Sequence, residues 1–322
     1  MREIKKDIEQ LEEVAHQLDK QTPTGARLAL LLLDNLIELL AFKKVKKIFA
    51  FDEMYKLPGK LPKYSPEKRK KVKDHFKEKI NFLVSETKDI SHDEGDFLKV
   101  GHELRNEAYH NGVLRDSIIL SVTSVHYEIV CRLLPRLWIM SYSYSREDEV
   151  SAFLNKYGIQ GSMIDTKSLE KICINLLGDR NSTTDNLRED ISDDLINRID
   201  ELVETLESYQ PDVRPDLTPD ELLKEMQFSQ TFPGDLKFPE THEGFLEFHR
   251  TRDEYRSKFK PKVILATIVR WKRQAAKIRS EDRPGAVMRK FSEIDRHLLK
   301  IEDIIYEAVA EFDIYIDSQI HS

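Results

Sequence analysis

Ile4-Lys5-Lys6-Asp7-Ile8-Glu9-Gln10-Leu11-Glu12-Glu13-Val14-Ala15-His16-Gln17-Leu18 decides the architecture. Its apolar members, Ile4, Ile8, Leu11, Val14 and Leu18, recur at spacings of three and four, the period of one face of an α-helix and not the alternation of a strand. Thr22-Pro23-Thr24-Gly25 ends this helix. A second, more apolar helix follows from about Ala26 to Tyr55, and the proline-rich run Leu57 to Pro66 is a loop. Ser65 caps the next helix with Pro66 at its first position, and that helix carries a basic run and Phe76, Ile80 and Leu83 to about Thr87.

The acidic turn Ser91-His92-Asp93-Glu94-Gly95-Asp96 feeds a helix through Phe97, Val100, Leu104 and Ala108, stopped by Asn111-Gly112. Leu114 to Ser145 is the most apolar segment and the expected central helix, kinked or broken near Pro135. Beyond Arg146-Glu147-Asp148-Glu149 the helices shorten (about 147–157, 167–178, 186–208, 219–229). An irregular stretch, Thr231 to Pro239, separates them from two long helices near 241–280, interrupted at Pro261, and 285–319. The expected fold is all-α: an N-terminal helical bundle over 1–146 and a second helical region over 147–322.

Composition agrees. Of 322 residues 34% are charged and only 11 are Gly, which suits helices with many surface ion pairs. The length exceeds the roughly 100 to 200 residues of a common domain, so two folding units are expected. Cys131 and Cys173 are far apart in apolar helical context with no CxxC, which argues against structural zinc and a disulfide framework. The start, Met1-Arg2-Glu3-Ile4-Lys5-Lys6-Asp7, is charged in both signs and no secretory signal is expected. Ala26–Phe42 carries Arg27, Asp34, Asn35 and Glu38, and Ser117–Tyr142 carries His126, Glu128, Arg132 and Arg136. Neither suits a membrane span of about 20 mostly uncharged residues. A cytoplasmic protein with no membrane partner is the expectation.

The net charge of -7 argues against general coating of nucleic acid, but the charge is uneven. Lys56 to Lys79 holds ten Lys/Arg against three acids, and Arg250 to Arg283 holds twelve against four. Such patches can hold phosphates on an acidic molecule. For the second patch the bland alternative is packing against the acidic stretch 181–208 within the same chain.

Most chemical templates are missing. There is no GxxxxGK loop and no GxGxxG after a strand, and the zinc-protease-like opening His102-Glu103 meets Asn106 where a second His is required. What remains is Arg105-Asn106-Glu107-Ala108-Tyr109-His110. At about 100° per residue Asn106 and His110 share a face and Arg105 with Tyr109 forms the neighbouring stripe, so the polar tips can converge. An imidazole that titrates near neutral pH and a permanent guanidinium suit RNA cleavage by the RNA's own 2'-hydroxyl, with no metal and no cofactor. A similar spacing from Arg69 to His75 lacks the polar Asn after Arg and is set aside.

With a helix end at the motif and a long apolar helix after it, Leu104-Arg105-Asn106 and Tyr109-His110 resemble the HEPN superfamily (higher eukaryotes and prokaryotes nucleotide-binding), over about residues 1–145. The resemblance implies that Arg105, Asn106 and His110 are the catalytic set of a ribonuclease. It further implies that two copies pair around one cleft, and that the partners are RNA, with tRNA among the candidates, and an antitoxin or other defence-system protein. The corresponding roles are those of a prokaryotic toxin or antiviral effector. Tyr109 is added as a base-stacking or positioning group. Lys68, Arg69, Lys70, Lys71 and Lys73, by default a solvated face, are added as RNA-guiding cations. The competing class is a non-catalytic helical protein that binds RNA, nucleotide or another protein, in which Arg105 and His110 only cap or salt-bridge a helix end with Glu103 and Glu107.

Overall fold

A computed structural model describes residues 2–54, 62–111, 115–138, 142–143, 149–159, 163–178, 184–213, 215–231 and 242–320. The loop at 57–61, Gly112 of the expected stop signal, the charged 146–148 and the stretch 232–239 lie outside the described residues. The fold is all-α: thirteen α-helices among the described residues, with one two-residue antiparallel ladder, Tyr142–Ser143 on Met163–Ile164. Contacts divide the chain into two compact units, Met1–Ile191 with Arg279–Lys290, and Ser192–Ile278 with Phe291–Ser322. The first unit thus runs past the expected boundary near 146, because α8 (Thr166–Leu177) packs on the central helix α6 (Ile119–Leu137) and the Tyr127 hydroxyl donates to the Leu176 carbonyl at 3.2 Å.

In the first unit α1 (Arg2–Asp19) buries the whole stripe Ile4, Ile8, Leu11, Val14 and Leu18. Thr22 accepts from the Gly25 amide and opens α2 (Pro23–Met54), and a Cβ at Gly25 would lie 2.6 Å from the Gln17 carbonyl oxygen, so this tight corner requires glycine. Lys43 of α2 reaches back to Glu3 and Asp7, which makes α1 and α2 an antiparallel pair. Beside them α6 buries Val122, Val125, Ile129, Val130, Leu133 and Leu134. Thr123 donates to the Ala26 carbonyl and Lys44 to the Arg136 carbonyl, so α2 and α6 run side by side in the same direction. Pro135 falls in the last turn of α6, which ends at Leu137 and not near 145. Having no amide hydrogen, Pro135 cannot bond the Cys131 carbonyl, and the helix ends two residues later.

The expected single helix over 66–87 is two: α3 (Pro66–Asp74), capped by Ser65 as its sequence requires, and α4 (Phe76–Ser85). His75 between them is extended (φ -116°, ψ 126°). The break is stabilised by the buried Lys79 ammonium, which donates to the exposed end carbonyl of Lys73 at 3.1 Å and to Glu38 of α2 at 3.2 Å. A capping box between Ser91 and Glu94 starts α5 (His92–Asn106). It is followed by a π-helical turn, Glu107–Asn111, where a continuous α-helix to the Asn-Gly pair is the sequence expectation.

Between the ladder strands lies α7 (Glu149–Asn155). The second unit is formed from α9 (Thr184–Val213), α10 (Pro219–Thr231), α11 (His242–Lys258), α12 (Leu265–Ile278) and α13 (Pro284–Ile320), in the parts assigned to it. The break at 259–264 falls where Pro261 places it. Within this unit Arg198 of α9 is a half-buried hub. Its guanidinium donates to Asp295 at 2.6 Å and Glu302 at 2.7 and 2.9 Å on α13, and lies 3.5 Å from Asp194. That network holds its pKa above the ordinary value despite burial.

Candidate functional site

Asp34 sits in α2 on the same stripe as Leu30, Leu33 and Ile37, and its side chain is fully buried. A carboxylate taken out of water costs several kcal/mol unless cations and hydrogen bonds meet it. Two groups one helical turn apart on α5 do so. The Nδ1 of His102 lies 2.9 and 3.0 Å from the two oxygens of Asp34, and Nε of Arg105 lies 3.4 Å from Oδ2. Facing a carboxylate, Nδ1–H is the donor in this contact. Phe76 stacks on that ring at 4.2 Å, which fixes its plane. The Arg105–Asp34 contact is an ion pair without hydrogen-bond geometry, so the Nε hydrogen is buried and unsatisfied.

The rest of the Arg105 guanidinium faces outward. Nη1 donates to the Asn106 carboxamide oxygen at 2.8 Å, and the exposed ring of Tyr109 lies 5.7 Å from Cζ, in cation–π range. Nη2 takes no partner among the described residues. Arg27, Leu30 and Leu31 of α2 join Arg105, Ala108 and Tyr109 around a notch of about 120 Å³. That is well under the roughly 300 Å³ at which enclosed small-molecule pockets begin. Its size is that of a phosphate group and not of a whole nucleotide, and its lining is more apolar than polar. Arg27 pairs with Asp116 at 3.4 Å, so two guanidinium groups border one small opening.

Of the sequence-derived catalytic set, Arg105 and Asn106 are therefore in contact. The backbone of His110 is in the π-turn and its side chain lies outside the described residues. α-Helical rotation puts Asn106 and His110 on one face, but from Glu107 onward the wider i→i+5 turn replaces it. Glu103 and Glu107 are not the partners of Arg105: Glu103 meets Lys77 and Glu107 lies 3.7 Å from Arg115. The basic run divides. Lys70 is exposed, Lys68 reaches Glu86 at 2.7 Å, Lys71 reaches Glu78 at 2.9 Å, and Lys73 lies over the Phe49 ring. Arg69 is not a surface cation. It is buried, bonded to Asp52 at 2.5 Å, Glu53 at 2.6 Å and the carbonyls of Tyr64 and Phe49, and so latches α3 to α2.

Sequence reasoning missed Asp34, Arg27 and the role of His102. An acid inside an otherwise apolar helix, which reads only as a bar to membrane insertion, is the one signal that marks Asp34. Among the described residues no three His, Cys, Asp or Glu side chains group as metal ligands.

Behind the site His126 of α6 is fully buried, its ring edge-on to Phe97 and against Gly101, with neither nitrogen bonded. Desolvation lowers its pKa from 6.5 to about 4, opposed by the nearby Asp34 charge and assisted by His102. The unfolded chain therefore binds a proton between pH 6.5 and 4 that the folded one refuses. Stability is full above about pH 6.5 and falls as the pH drops to about 4, by roughly 3 kcal/mol from this group alone. We expect His126→Leu to flatten that part of the stability–pH curve, measured by urea unfolding at pH 7, 5.5 and 4.5. An unchanged slope would refute the assignment.

No protein-family model matches the chain, and no curated protein or solved structure is similar to it. No helix among the described residues is long and apolar enough to cross a membrane.

Proposed function

We propose that this chain is a metal-independent endoribonuclease of the kind its Arg105–His110 motif resembles. The observation that carries the reading is the Arg105 guanidinium, held from behind by buried Asp34 and from one side by Asn106, with its Nη2 edge open at a phosphate-sized notch. An arginine fixed in this way is suited to charge that builds on phosphorus-bound oxygens.

In the reaction the 2'-oxygen of RNA forms a bond to phosphorus and the bond from phosphorus to the 5'-oxygen breaks. The 2'-hydroxyl gives up its proton and the departing 5'-oxygen takes one, leaving a 2',3'-cyclic phosphate and a 5'-hydroxyl. His110 moves one of these protons and Arg105 neutralises the pentacoordinate phosphorane. Asn106 orients Arg105, and Tyr109 offers a face on which the adjoining base can stack. Pairing of two copies around one cleft, a cytoplasmic toxin or antiviral role, and control by an antitoxin belong to the same reading.

The test is incubation of purified protein with labelled tRNA and total RNA in EDTA. Cleavage to fragments ending in 2',3'-cyclic phosphate is expected. A mobility shift with intact RNA would remove the nuclease reading and leave a helical RNA binder.

A further inference from the structure

We propose that the outward face of α12 is a docking surface for the phosphate backbone of RNA. Its support is independent of the nuclease site, and a chain that never cuts RNA would keep it.

Leu265–Ile278 contains four cations, Arg270, Lys272, Arg273 and Lys277, and no acid. The helix buries one narrow stripe, Ile268, Trp271, Ala275 and Ile278. At about 100° per residue Arg270, Arg273 and Lys277 fall within roughly 60° of one another, directly opposite that stripe. All three are exposed. Their Cα atoms span about 10 Å of helix at 1.5 Å per residue, close to three nucleotide steps of a strand rising about 3.4 Å each.

Internal pairing does not account for the two arginines of this face. On the flank Asp200 of the acidic helix α9 takes Lys272 at 2.5 Å. Arg270 and Arg273 have no partner among the described residues. A helix C-terminus favours cations in its last turn, which accounts for Lys277 but not for Arg270 in mid-helix. Like charges three and four residues apart weaken a free helix, and an anionic ligand would relieve that repulsion.

The surface is also fixed in advance. Buried Gln227 of α10 accepts from the amides of Lys262 and Val263 at 3.0 and 3.1 Å and donates to the Val263 carbonyl at 2.7 Å. Asp220 caps α12 by accepting from the Leu265 amide at 2.8 Å. The turn so clamped brings exposed Lys260 and Lys262 to the start of α12.

The chemistry favours RNA over the other acidic partners. Two of the three outward cations are arginines, whose planar fork matches phosphate oxygens. Beside Ala266, Gln274 and Ala276 this face exposes a single large apolar side chain, Val269, which is too little to anchor the helix in a lipid surface.

The test is fluorescence anisotropy with a labelled 2'-O-methyl RNA 20-mer, which has no 2'-hydroxyl and cannot be cleaved by the proposed route, titrated over a range of KCl. R270Q/R273Q/K277Q should weaken binding at least tenfold at 100 mM KCl. It should also reduce the slope of log K against log salt by about 2, at about 0.7 per lost contact to a single strand. K6Q/K20Q/K167Q, which removes the same net charge from the first unit, should retain most of both. Equal affinity and slope in the α12 variant overturn the proposal, and so does an equal loss in the two triple variants, which would mark a net-charge effect. Binding of polyglutamate or phosphatidylserine vesicles that matches RNA and is lost with the same variant overturns it in favour of an acidic protein or a membrane. Because the probe is uncleavable, failure here leaves the nuclease test in EDTA untouched, and the reverse also holds.

Discussion

Arg105→Ala is expected to lower RNA cleavage by 10²- to 10³-fold or more, the usual consequence of removing one preorganised donor from a developing oxyanion. Its side chain is 27% exposed, so the loss of chemistry should far exceed the loss of fold. Some stability must go with it, because the second oxygen of buried Asp34 then faces only His102. We expect about 1–2 kcal/mol. Arg105→Lys separates charge from shape. Lysine keeps the positive charge but a single ammonium cannot at once meet Asp34, bond Asn106 and present an edge to phosphate. It should therefore be nearly as inactive as the alanine variant while recovering most of the stability. Cleavage in EDTA and thermal unfolding of the same preparations decide the matter. Wild-type cleavage by either variant removes the guanidinium from the mechanism, and wild-type cleavage by His110→Ala removes the imidazole.

The stripe from Ile4 to Leu18, the Ser65 cap, the Ser91–Glu94 box and the break at Pro261 were all legible, because each is a local signal a few residues long. The break at His75 was not. Nothing in Lys73-Asp74-His75-Phe76 forbids a helix, and the interruption depends on Lys79 bridging to Glu38, 41 residues away. Arg69 shows the same limit from the other side. In a run of cations it reads as solvated, and only the fold brings Asp52, Glu53 and two carbonyls to enclose it. For the site, residue chemistry pointed to Arg105 and Asn106, which do touch, while the carboxylate behind them lay 68 residues from His102 with no periodicity to connect them. The π-turn was also illegible, since Glu107 to Asn111 carries no breaker before Gly112.

Asp34 now gives the sharpest division between holding a catalytic group and merely stabilising a helix pair. Asp34→Ala leaves two polar groups facing a cavity in the α2–α5 packing. Breaking a buried pair by removing one partner costs about 3–5 kcal/mol, and the partial exposure of Arg105 and His102 puts the expected loss towards the lower end. Asp34→Asn is the informative variant. It nearly preserves volume and can still accept from His102 Nδ1, so we expect it to fold, with about 1–2 kcal/mol less stability. It no longer supplies the charge that holds Arg105 in line with the notch. Cleavage should fall at least tenfold in turnover with little change in KM, because a loosened guanidinium fails the transition state more than the bound RNA. The His126 ring supplies a readout independent of activity. The Asp34 charge is what opposes its desolvation, so in Asp34→Asn its titration should move below about 4, observable as the loss of any imidazole shift in NMR spectra down to that pH. A folded Asp34→Asn protein that cleaves RNA at the wild-type rate would reduce Asp34 to a structural carboxylate and leave Arg105 to be positioned by Asn106 alone.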